Sequence, residues 1–223
     1  MKTILLTATY LVGIGELILA VFFWVTHQKQ EIRKVMAFLA FFIGAWVVLN
    51  ALTSYREPSH LVDLLLPWVF IASFFLITAL VHVVILFPFP TIRLDGFHRI
   101  LLYLPAAMLS YSFFISDDFI QGYKLTPDTT GQIIPGDLYS LYIIFFTLAL
   151  LTSVGLLIQK IRRSDGVHHR HLKKLLSAIL IPGVPGLIFS VFNFGFQVSY
   201  ATLIAPVLSG VWLGLVTWII IQP

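Results

Sequence analysis

Apolar runs long enough to cross a bilayer follow one another along nearly the whole chain, each closed by a short cluster of charged or turn-forming residues. A membrane-spanning helix needs roughly 20 mostly apolar residues. Seven stretches qualify: 4–25, 35–55, 62–87, 100–115, 138–158, 175–196 and 200–221. The fourth is the shortest. The runs are continuous and do not alternate, which excludes a membrane β-barrel. In hydrocarbon every backbone N–H and C=O must be satisfied within the segment, so continuous runs imply helices. The predicted fold class is all-α: a seven-helix transmembrane bundle forming one domain over 1–223. No internal repeat is visible, and an odd number of spans does not divide into two equal inverted halves.

The breaks between spans carry the charges. Lys29, Arg33 and Lys34 follow span one, Arg93 and Arg99 follow span three, and Lys160, Arg162, Arg163, Arg170, Lys173 and Lys174 follow span five. Eleven of the 14 basic residues therefore fall on one side. Lys2, Arg56 and Lys124 fall on the other, with Glu57, Asp117, Asp118, Asp128 and Asp137. Basic loops stay in the cytoplasm. The expected N-terminus is therefore outside and the C-terminus cytoplasmic, with an external loop at 116–137 and a basic cytoplasmic loop at 159–174. Within the external loop, β-prone runs at 123–126 and 132–134 flank a turn-rich centre, which predicts a short β-hairpin between helices four and five. It reads either as a lid over an external pocket or as a plain connector.

Composition agrees with the pattern. Hydrophobic residues make up 59% of the 223 positions and charged residues only 11%, against about 25% charged in soluble domains. The lack of cysteine excludes disulfides, iron–sulfur clusters and thiol nucleophiles. No small-residue cleavage site follows the first run, so it reads as a retained helix. A phosphate loop, an HExxH helix and zinc-finger spacing are all missing, and nothing points to nucleic acid. No lysine lies in span seven to hold a retinal Schiff base. The expectation is a non-enzymatic chain with no cofactor and no metal. His168, His169 and His171 lie in the basic loop with only Asp165 as a nearby carboxylate. Contact with anionic lipid headgroups accounts for such a segment better than a metal site does.

Ionisable groups inside a bilayer are costly and default to functional hypotheses. Glu16 in span one and His82 in span three lie at similar depth, a candidate intramembrane polar pair that acts either as a proton-sensitive switch or as a structural contact. In the outer half, Asn50, Asp63, Trp68, Tyr139, Tyr142, Asn193 and Gln197 share one depth. They outline either an external ligand pocket or, for the aromatic members, an interfacial belt. In span six, Pro182, Gly183, Pro185 and Gly186 predict a kink that reads either as a hinge or as a static bend.

The order of these features resembles the N-terminal seven-transmembrane sensor region of bacterial histidine kinases. The segment GVHHRHLKKLLSAILIPGVPGLI at 166–188 is similar to that family's basic loop and sixth helix. Leu86-Phe87-Pro88-Phe89-Pro90 looks like its exit from span three, and Gly136-Asp137-Leu138-Tyr139 and Ala205-Pro206 also fit. Asn193 lies near the family's frequent asparagine without a clean match. The resemblance implies a sensor in the bacterial cytoplasmic membrane that binds a small-molecule or peptide ligand, forms a possible homodimer, and signals to a cytoplasmic kinase or similar domain in cis or in trans. The sequence stops at Gln222-Pro223, directly after span seven, so that output domain is expected elsewhere. The alternative is a small transporter or channel.

Overall fold

A computed structural model describes residues 2–26, 31–53, 59–90, 94–126, 129–192 and 208. Among the described residues there are six α-helices: α1 (Lys2–Val25), α2 (Glu31–Thr53), α3 (Ser59–Leu86), α4 (Gly96–Ile115), α5 (Tyr139–Arg162) and α6 (Gly166–Phe192). The first five are long and apolar enough to cross a membrane, and they mark the chain as a multi-pass membrane protein. α6 covers most of the sixth expected span. The seventh, at 200–221, lies outside the described residues apart from Leu208.

α3 is the axis of the bundle. It packs against α2, α4 and α5, while α1 packs on α2 and α6 on α5. Its stretch from Ile77 to Ile85 is buried on every side. A helix that is apolar all round belongs in the centre. The inner core joins Leu39, Ile43 and Val47 of α2 to Ile77, Leu80 and Val84 of α3, Leu157 of α5 and Leu175 of α6. By contrast, α1 exposes Leu11, Ile14 and Ile18, α4 exposes Ile100, Leu104 and Met108, and α5 exposes Ile144, Leu148 and Leu151. Water would not tolerate such stripes, and lipid chains solvate them at no cost.

Buried hydroxyls are satisfied within their own helices. Ser73 donates to the Phe70 carbonyl at 2.6 Å, Thr78 to Phe74 at 2.8 Å and Ser110 to Ala106 at 2.7 Å. α1 and α2 approach most closely at two glycines. A Cβ added to Gly44 would lie 3.0 Å from the Gly13 carbonyl oxygen, and one added to Gly13 would lie 2.7 Å from Val48 Cγ2.

One segment differs from the sequence expectation. The basic stretch 159–174 is helical except at 163–165. α5 runs on to Arg162 and α6 begins at Gly166, nine residues before the apolar run does. Gly166 adopts φ +62°, which suits a residue without a side chain. The Arg163 and Ser164 amides donate back to the Lys160 and Ile161 carbonyls and close the turn. Arg162, Arg170, Lys173 and Lys174 ride on exposed helix faces that extend past the apolar zone, while Lys160 is buried. α6 is also helical without a break through Pro182, Gly183, Pro185 and Gly186.

Between α4 and α5 a 3₁₀ turn (Asp117–Phe119) leads into two strands, β1 (Ile120–Thr126) and β2 (Thr129–Pro135). They pair antiparallel, with Tyr123 opposite Ile133 and Lys124 opposite Gln132. The ribbon returns beside its own start, where the Gly136 amide donates to the Phe119 carbonyl at 3.0 Å and the Leu138 amide to Asp118 at 3.1 Å. The Asp118 carbonyl fills the space where a Gly136 side chain would sit.

Candidate functional site

An aromatic cluster joins α3, α4, α5 and the 3₁₀ turn. Tyr139 and Tyr142 are three residues apart on α5 and therefore share a face, their ring centroids 5.5 Å apart. Both meet Phe70 of α3 edge-on, at 5.9 and 5.1 Å. Phe74 adds an edge contact to Tyr142 at 5.6 Å. Phe113 of α4 stacks on Phe70 at 5.2 Å. From the 3₁₀ turn, Phe119 lies flat on Phe113 with centroids 4.0 Å apart. Edge-to-face and offset geometries such as these are the favoured ones for aromatic rings.

The residues expected to bind a ligand are thus only partly brought together. Tyr139 and Tyr142 are neighbours, both buried in this cluster. Trp68 sits on the exposed side of α3 and meets Phe114 of α4 at 5.8 Å. Asn50 donates from Nδ2 to the Trp46 carbonyl of its own helix at 2.8 Å. The side chain of Asp63, and all of Asn193 and Gln197, lie outside the described residues. Phe119 was not visible as a site residue from sequence. A phenylalanine beside two aspartates in a loop gives no sign that it turns inward.

The intramembrane polar residues are arranged differently from the expected pair. His82 and Glu16 are both buried, but no hydrogen bond joins them. His82 Nδ1 lies 3.1 Å from the Tyr103 hydroxyl of α4. Glu16's two carboxylate oxygens and His82 Nε2 have no hydrogen-bond partner among the described residues. Glu16 lies on α1, which packs against α2, and His82 meets Tyr103 of α4. Tyr103 belongs to an aromatic wall with Phe38 at 5.5 Å and Phe75 at 6.5 Å. This α3–α4 contact joins a polar pair to a packed apolar seam.

At the end of the bundle where α4 and α6 begin, two features close the structure. Asp95 caps α4: its Oδ1 accepts from the His98 amide at 2.9 Å and lies 2.7 Å from His98 Nδ1. These bonds hold the Asp95 carboxyl below the usual carboxylate range. The Arg99 guanidinium pairs with Glu31 of α2 at 2.6 Å and donates to the Leu94 carbonyl. Among the expected basic-loop histidines, His169 Nδ1 lies 3.1 Å from both the Ile161 and Ser164 carbonyls, where it caps the end of α5. His168 is exposed with its ring edge toward Phe89. No group of His, Asp or Glu suited to a metal occurs among the described residues.

No protein-family model matches this chain, and no curated protein matches it.

Proposed function

We propose that this chain is a membrane-embedded sensory module. In this reading it spans the bacterial cytoplasmic membrane seven times, with its N-terminus outside and its C-terminus in the cytoplasm. An external or membrane-dissolved ligand acts on the outer half, and the last helices pass the change to a cytoplasmic signalling domain. The observation that carries the proposal is the outer aromatic cluster. There α3, α4, α5 and the turn beneath the β-ribbon meet through Phe70, Phe113, Tyr142 and Phe119. A ligand that alters the packing of this cluster acts on three helices and the external ribbon at once. The side of the chain that holds most basic residues, and the resemblance to kinase sensor regions, support the direction of signalling. The Pro182–Gly186 segment in α6 is the place where a hinge fits best.

A ligand drives such a change only by binding two arrangements with different affinity. The inner core, by contrast, is filled by Leu39, Ile43, Val47 and Ile77, each at most 1% exposed. That packing favours a receptor over a transporter, whose path must cross both leaflets. The test is a fusion of the chain to a histidine kinase core, reconstituted in liposomes. Trp68→Ala, Asn50→Leu and Tyr142→Phe are expected to shift basal autophosphorylation without loss of folded protein. Unchanged autophosphorylation in all three would overturn the proposal, as would solute flux through liposomes holding the chain alone.

A further inference from the structure

The exit of α3 has a problem that its sequence creates and another helix solves. A helix leaves its last four carbonyls without intrahelical partners. The Phe87 amide continues the pattern by donating to the Val83 carbonyl at 2.9 Å. The residue that would serve Val84 is Pro88, which has no N–H. Pro90 is likewise without one. The two prolines therefore withhold the amides that would continue the helical pattern at Val84 and Leu86.

Lys160 of α5 supplies what is missing. Its Nζ lies 2.7 Å from the Val84 oxygen, 2.9 Å from Ile85, 2.7 Å from Phe87 and 2.6 Å from Phe89. The ammonium also sits 5.2 Å from the centre of the Phe89 ring, a cation–π distance. The side chain is 1% exposed. An ammonium has three N–H donors and faces four oxygens here, so one proton is shared. Among the described residues no carboxylate is a hydrogen-bond partner of it. Its charge is balanced instead by carbonyl dipoles at the negative end of α3.

We propose that the α3 exit is a cation-binding site for a primary ammonium, filled in cis by Lys160, and that this occupancy fastens α3 to α5. The site is defined by four carbonyl oxygens and one aromatic face, and its ligand is a group with one positive charge and several N–H donors. Lys160 is a positioning residue: it fixes where α3 ends and which way the chain leaves. The proposal concerns this end of the bundle and stands whether or not the outer cluster receives a ligand.

Truncation of the side chain followed by chemical rescue tests it. Lys160→Ala removes three carbons and the ammonium, a fragment equivalent to n-propylammonium. The purified full chain in detergent is expected to lose roughly 5 °C or more of thermal stability, because buried carbonyls are left unpaired. Added n-propylammonium is expected to restore most of that loss in the variant, in a concentration-dependent way, and to leave the parent chain unchanged. Tetramethylammonium, with the same charge and no N–H, is expected to restore none. Equal rescue by both ions, or no rescue by either, would overturn the proposal. Amine labelling of the unsubstituted chain gives a reading that does not depend on the variant folding. Lys173, which is exposed, is expected to react readily, while Lys160 reacts only on unfolding. Labelling of Lys160 at the rate of Lys173 would also overturn it.

Discussion

Replacing Gly44 by alanine adds one methyl group at a close contact between α1 and α2. The new Cβ would lie 2.9 Å from Leu17 Cγ and 3.0 Å from both Leu17 Cδ2 and the Gly13 carbonyl oxygen. The Leu17 branch point cannot rotate out of the way as a flexible tip can, and the Gly13 oxygen belongs to backbone. The helices must therefore separate by several tenths of an ångström, and the neighbouring contacts of Ile43 and Val47 loosen with them. Overpacking of this kind costs about 1–3 kcal/mol. In a protein of this size that is a melting temperature lower by roughly 2–12 °C. Gly15 provides the control. It lies on the same helix pair, and a Cβ there meets nothing within 4 Å, so Gly15→Ala is expected to be neutral or slightly stabilising through helix propensity. Both variants are measured by thermal unfolding of the purified chain in one detergent. If Gly44→Ala is as stable as the parent, or Gly15→Ala is equally damaging, the close approach of α1 and α2 does not hold them together.

Two further predictions rest on single contacts. A double-mutant cycle with His82→Phe and Tyr103→Phe is expected to give a coupling of about 0.6 kcal/mol and at most about 1.7, the range of hydrogen bonds between membrane helices; zero coupling in thermal or denaturant unfolding would remove the pair from the account of the α3–α4 seam. For the α4 cap, the native Asp95 carboxyl titrates below its ordinary value of 3.8, so the folded protein binds fewer protons there than the unfolded chain does. The cap's contribution is complete above the ordinary value and is lost as pH falls through the lowered native one. Amide exchange at residues 97–99 is expected to speed up over that acid range in the parent, and to be fast already at neutral pH in Asp95→Ala.

The sequence makes some of this structure legible and hides the rest for identifiable reasons. The apolar runs locate α1 to α5 because length and hydropathy are properties of one segment. Tyr139 and Tyr142 share a face because their spacing requires it. What that face meets, Phe70 and Phe74 on a helix some 70 residues earlier, is a pairing that no local pattern encodes. The same gap separates Glu16 from His82. Depth in the membrane follows from position along a helix, whereas direction around its axis follows from packing, and packing gave His82 to Tyr103. The start of α6 at Gly166 was hidden for another reason. A helix that continues past the apolar zone carries charges on its exposed face, and in sequence it looks like a loop.

Lys160 shows the limit most clearly. As one of six basic residues after span five it helps to set orientation, and nothing local separates it from Arg162 or Lys173. Its four partners lie more than 70 residues away, at an exit whose two prolines are the only advance sign that donors will be lacking. Yet the same helix that places Lys160 at the inner end of α3 places Tyr142 against Phe70 and Phe74 further out. The two contacts are 18 positions apart along α5, roughly 27 Å at the rise of an α-helix. One helix therefore holds α3 both at its middle and at its C-terminal exit. A shift of α5 at Tyr142 has only two outcomes: it bends the helix between these points, or it strains the carbonyl contacts of Lys160. The aromatic contacts of Tyr142 and the carbonyl contacts of Lys160 are thereby linked through the backbone of one helix.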